Sequence, residues 1–277
     1  METTTFQLNS SFGANALYWI CGLDAYEQGP TRRILEDLQG HSRLPIPVIR
    51  LDVDSPTELI AVLDKLHYNA LHCSLRPIVH FDMHGSKSAG LKLGNSFLEW
   101  ESLGQALRKL NVATGNKLLV VGGACHALSA IRSLNILSAS PFFVLLAPED
   151  EVQSGFIESH IVSFYSELFN TASLDRAFEQ LGDPFQYIHC EKLLFIMLSR
   201  YIEKKLKGKT LQQRRERLLT EVFLANEKTN PETLKKVRLL LKSGLKPTQS
   251  LLDRYSGVFL CNRPCSFTID DVLKLVR

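Results

Sequence analysis

The chain has 277 residues, 45% hydrophobic and 22% charged, proportions that exclude a disordered, fibrous or low-complexity protein and leave room for a sizeable core. No apolar run approaches the ~20 residues needed to cross a bilayer, and the opening METTTFQLNSSFG lacks the basic-then-apolar order of a secretory signal, so a cytoplasmic chain without membrane association is expected. The net charge of +3 hides a division: residues 1–184 hold 13 Lys+Arg against 20 Asp+Glu, a balance of −7, and residues 185–277 hold 19 against 9, a balance of +10.

In chain order, ALYWICGLD reads as a strand, TRRILEDLQG as a helix closed by Gly40, and IPVIRLDVD as a second strand. Ser55 and Pro56 then open a helix through SPTELIAVLDKLHYNAL, and PIVHFDM is a third strand. LKLGNSFLE alternates about Gly94-Asn95, a two-residue hairpin signal. ESLGQALRKL places Leu103, Ala106, Leu107 and Leu110 on one helical stripe. KLLVV and PFFVLLA are buried strands, and IESHIVSFYSELF is a helix turning Ile161, Phe164, Tyr165 and Leu168 inward.

Strands alternating with helices predict a mostly parallel sheet covered on both faces. The Asp-Pro step of LGDP marks a boundary between a domain of residues 1–184 and a basic helical region of 185–277. In that region EKLLFIMLSRYIEKKL, LQQRRERLLTEVFLAN and PETLKKVRLLLKSG read as helices, with no further strand before GVFLC.

Two residues fall where such sheets do their work, at the carboxyl ends of strands. His84 follows the third strand beside Gly85, and Cys125 follows the fourth after Gly122-Gly123-Ala124. A lone histidine or cysteine in such a place is ordinarily a packing or surface residue. Together on adjacent strand tips they read as base and nucleophile of acyl transfer, because a free thiol, with a pKa of ~8.5, must give up its proton before it attacks. A helix beginning near Ala127 would favour negative charge on the sulfur, and the N–H groups of Gly85 and Cys125 could donate to the oxyanion. His80 and Asp82 share the face of His84, as orienting or core residues. The six cysteines lack the spacing of a disulfide scaffold, and a zinc site from CNRPC with His189 and Cys190 lacks the paired short-spaced ligands of common zinc motifs.

The run from HFDMHGS through the hairpin and LLVVGGACHA to FFVLLAPEDEVQSGFIESHIVSFYSELFNTASLDRAF, Val79 to Leu181, resembles the CHAT group of caspase-like cysteine peptidases. The resemblance implies an α/β/α sandwich with His84 as general base, Cys125 as nucleophile, Gly85 with Cys125 as oxyanion donors, and no need for an acidic third member. It implies no metal or organic cofactor, and a tie to prokaryotic antiviral defence or regulated cell death. Relatives that cut after basic residues often carry an acid two before the cysteine, where this chain has Gly123; Glu149, Asp150 and Glu151, with Asp24, are the candidates for a pocket accepting Arg or Lys.

Two other readings stand beside this one. GACHA also resembles the nucleophile turn of DJ-1/PfpI-like cysteine hydrolases or glutamine amidotransferases, with His126, His160 or His189 as the downstream base. Alternatively the fold is a non-proteolytic interaction module. The basic region would then dock a regulatory protein partner; nucleic acid finds no aromatic interleaving or named motif to support it.

Overall fold

The computed structural model describes residues 8, 10–40, 43–131, 134–225 and 231–276. The first seven residues, on which the signal-peptide expectation rests, lie outside them. No helix among the described residues is long and apolar enough to cross a membrane.

The elements run β1 (Ala16–Cys21), α1 (Gly29–Gln39), β2 (Val48–Asp52), α2 (Pro56–His72), β3 (Pro77–Asp82), a small antiparallel sheet β4 (Gly85–Ser86), β5 (Gly90–Leu93) and β6 (Ser96–Leu98), then α3 (Trp100–Ala113) and β7 (Leu119–Gly122). A single 3₁₀ turn (Ala127–Ile131) leads to β8 (Val144–Pro148), α4 (Ser154–Thr171), α5 (Leu174–Phe178), β9 (Phe185–His189) and α6 (Cys190–Lys205). Helices α7 (Gly208–Ala225), α8 (Pro231–Gly244), α9 (Gln249–Phe259) and α10 (Ile269–Leu275) complete the chain. The main sheet has the order β2-β1-β3-β7-β8-β9, parallel except for β9, which pairs antiparallel to β8. This is a mixed α/β protein with helices on both faces of a mostly parallel sheet.

Local chemistry accounts for the boundaries. Pro56 fills the first turn of α2, and the Ser55 hydroxyl accepts from the Glu58 N–H at 3.3 Å. Gly94, with φ +55, supplies the left-handed turn between β5 and β6 that a side chain would resist. Period-two alternation along β3 sends Ile78 to the layer of α1 and α4, and Val79 and Phe81 to that of α2 and α3. Both faces are dry, which is why the central strands read as continuous apolar runs.

Beyond residue 184 the structure departs from the sequence reading. FQYIH forms β9 and closes the sheet, whereas GVFLC ends α9 and turns away. Leu194 and Leu198 of α6, Leu252 and Phe259 of α9, and Val272 of α10 lie in the same core cluster as Trp19 and Phe164. The Asp183-Pro184 step therefore marks a turn within one core rather than a division between two. Its period-two signal spans only five residues and α6 begins at the next one, so the strand leaves no distinct pattern in the sequence. A chain ending at Pro184 should lose the β8 edge pairing and bare this core; it should recover as insoluble or protease-sensitive protein, and a soluble, cooperatively melting fragment would refute the shared core.

Candidate active site

The register of β3 against β7 pairs Phe81 with Gly122, and the Gly123 N–H donates to the Phe81 carbonyl at 2.7 Å. The two strands thus end level and side by side. Past their tips, the Gly85 backbone lies against the Cys125 peptide: a Cβ built on Gly85 would sit 2.0 Å from the Cys125 carbonyl oxygen. Only glycine permits that approach. Across β4 and β5, Lys92 N–H donates to the His84 carbonyl at 2.9 Å, so the facing Gly85–Leu91 pair is a non-hydrogen-bonded one and the Gly85 N–H points out of the ladder.

His84 is exposed, and its Nε2 lies 3.0 Å from Glu27 Oε1. Glu27 belongs to the turn after β1. Its own N–H donates to the Asp24 carbonyl at 2.9 Å, and Asp24 N–H donates to its other carboxylate oxygen at 3.2 Å, so the turn holds the carboxylate on the imidazole. An acidic partner for His84 is therefore present, where the resemblance implies only that none is needed. Nothing in LDAYEQG singled out Glu27, because residues 57 positions apart meet only through the β1–β3 pairing. Asp24 is brought to the same rim, exposed.

Cys125 is half-buried, and its Sγ is engaged by the acidic loop that follows β8. Val152 N–H donates to the sulfur at 3.5 Å, and the thiol faces the Val152 carbonyl at 3.8 Å. The loop is tied down beside it, since His126 N–H donates to the Asp150 carbonyl and His126 Nδ1 lies 3.1 Å from the Glu149 carbonyl. Glu149, Asp150 and Glu151 thus reach the rim of the cysteine turn through their backbone, with exposed side chains. The expected helix at Ala127 is one 3₁₀ turn whose first amides are already committed, Ala127 N–H to the Ala124 carbonyl and His126 N–H to Asp150. Little helix dipole is left for the sulfur.

The other histidines lead elsewhere. His126 bonds the acidic loop, His160 Nδ1 lies 2.8 Å from the Phe156 carbonyl within α4, and His189 caps α6 by accepting from Glu191 N–H. In a nucleophile elbow the strained turn falls on the nucleophile; here the positive φ, +58, falls on His126. His189 and Cys190 are committed to the core, the latter facing Asn116 Nδ2 at 3.4 Å, and no group of three or more potential metal ligands occurs among the described residues.

His80 and Asp82 are core residues under the site. The His80 ring stacks on Trp19 at 3.6 Å and its Nδ1 meets the Tyr165 hydroxyl at 2.9 Å. Asp82 accepts from Trp19 Nε1 at 2.9 Å and from Thr31 at 2.5 Å. These bonds fix the end of β3, on which His84 rides. Burial drives the His80 pKa down to about 3 and raises that of Asp82. The folded state keeps His80 neutral while the unfolded chain takes up its proton below the ordinary value of about 6.5, so His80 favours the fold above that pH and the advantage is lost as pH falls toward 3. Asp82 acts oppositely, favouring the fold at low pH. Between pH 6.5 and 5 the His80 linkage alone is worth about 2 kcal/mol. His80→Phe, which keeps the ring stack, should flatten the urea-midpoint profile over that interval; an unchanged slope would dismiss the histidine as its source.

No protein-family model and no curated protein sequence matches this chain.

Proposed function

We propose that this chain is a cysteine endopeptidase, a caspase-like enzyme of the CHAT kind, in which His84 and Cys125 act on a peptide carbonyl held at the sheet's carboxyl edge. The observation that carries the reading is the contact of the Gly85 backbone with the Cys125 peptide. It sets the imidazole-bearing segment against the thiol-bearing turn on neighbouring strand tips.

In the proposed reaction Cys125 leaves Val152 as the acidic loop shifts, gives its proton to His84 and attacks the carbonyl carbon. The tetrahedral oxyanion takes hydrogen bonds from the Gly85 and Cys125 N–H groups. As the C–N bond breaks, His84 returns the proton to the leaving amine. Water then attacks the thioester, passes a proton to His84, and the acid product departs as the thiol is restored. Glu27 holds the imidazole through its carboxylate, 3.0 Å from Nε2. No metal or organic cofactor is called for. The substrate is a protein, and the basic C-terminal helices are the surface for a regulatory partner, in keeping with a role as an effector of prokaryotic defence or cell death.

Asp24, Glu149, Asp150 and Glu151 give the rim an acidic character suited to Arg or Lys at the cleaved position. Incubating a proteome-derived peptide library with the wild-type chain and with Cys125→Ala, then reading new termini by mass spectrometry, tests both points. Cleavage after Arg or Lys by the wild type alone is expected. Cuts confined to acidic or small apolar positions would remove the basic-pocket reading, and no difference between the chains would remove the peptidase.

A further inference from the structure

Helix α7 turns a polar face toward its neighbours. Thr210, Gln213, Arg214 and Arg217 recur at the spacing of one helical side, and with Lys205 from the end of α6 they line a cavity of about 590 Å³. Apart from Asn135, the rest of the lining is apolar and aromatic. Tyr201 of α6 and Tyr255 of α9 meet edge to face at 5.8 Å, joined by Ile136 and Leu137 from the segment before β8. A helix in ordinary contact would bury apolar residues against that wall; here cations and an amide line the cavity beside it, and Arg214 reaches the Tyr201 hydroxyl.

The charges are not cancelled from within. Arg214 donates to the Tyr201 hydroxyl at 3.0 Å rather than to a carboxylate, and no Asp or Glu among the described residues lines the cavity. Arg217 also pairs with Glu221 at 3.4 Å, where both side chains are exposed. A bare inorganic anion would satisfy the three cations and leave the aromatic wall wet. A neutral apolar ligand would do the reverse. One class answers both walls, a flat aromatic body carrying phosphates, because guanidinium forks match phosphate oxygens and tyrosine rings accept a nucleobase. The volume falls within the range of small-ligand sites, ~300–1,000 Å³.

We propose that this cavity binds a nucleoside phosphate, with the base against Tyr201 and Tyr255 and the phosphates on Lys205, Arg214 and Arg217. None of these residues belongs to the His84–Cys125 site, so the proposal stands or falls apart from the peptidase reading. Calorimetric titration of the full chain with ATP, adenosine and inorganic tripolyphosphate at about 0.15 M salt tests it. ATP should bind with micromolar affinity and the two fragments at least about tenfold more weakly. Lys205→Gln and Arg217→Gln, both at the surface, should each weaken ATP about tenfold, while Lys236→Gln on α8 leaves it unchanged. Absence of ATP binding up to millimolar concentration would overturn the proposal. So would tripolyphosphate or adenosine binding as tightly as ATP, or a loss in Lys236→Gln equal to that in Arg217→Gln.

Discussion

With Cys73 replaced by serine, iodoacetamide at pH 7 should modify Cys125 ahead of every other thiol, and His84→Ala should slow that modification by tenfold or more. Alkylation reads the thiolate, so it reports the dyad without any knowledge of the substrate. The competition is set by burial. Desolvation pushes Cys21 and Cys265 up to about 11 and Cys190 up to about 12, and raises Cys261 as well. A thiol at about 11 is ionised roughly once in ten thousand molecules at pH 7. Cys73 is exposed and would react simply by access, hence its replacement. Removal of a general base ordinarily costs 10²–10⁴-fold in turnover, and part of that should appear in thiolate capture. Glu27→Gln, which keeps the shape of the contact with His84, should give an intermediate rate. Equal rates in the His84 variant and its parent would leave Cys125 a packing residue and favour the interaction-module reading.

Gly85→Ala should abolish the His84-dependent part of that labelling and destabilise the fold by about 1–3 kcal/mol. Its Cβ would fall 2.0 Å from the Cys125 carbonyl oxygen and 3.1 Å from the carbonyl carbon. Those are backbone atoms, and no rotamer change relieves the clash. Either the β4 segment or the cysteine turn must move, and each movement separates the imidazole from the sulfur. Gly13→Ala provides the contrast, since a Cβ there meets nothing within 4 Å. Thermal melts by circular dichroism, run beside the alkylation assay, should show a lowered midpoint and lost selectivity for Gly85→Ala, with neither change for Gly13→Ala. A Gly85→Ala chain that keeps parental labelling would show that the close approach is incidental to the site.

Much of this protein is legible in one dimension. The β3 and β7 runs, the Ser55-Pro56 helix start and the Gly94-Asn95 hairpin each express a rule that acts over a few residues, and the structure follows them. The same locality put His84 and Cys125 at strand ends beside glycines. What the local rules do not contain is which ends meet. Glu27 reaches His84 because β1 and β3 pair in parallel, Val152 reaches Cys125 because β7 and β8 do, and the last third of the chain joins the core because α6, α9 and α10 find the open face of the sheet. Such contacts join residues far apart along the chain, and their energies depend on the whole packing rather than on any short pattern. The sequence by itself therefore determined the strands, the helices and the placing of His84 and Cys125 at strand ends; the tertiary structure alone decided that Glu27 meets His84, that the acidic loop lies on the Cys125 sulfur, and that one core cluster joins the acidic and basic parts of the chain.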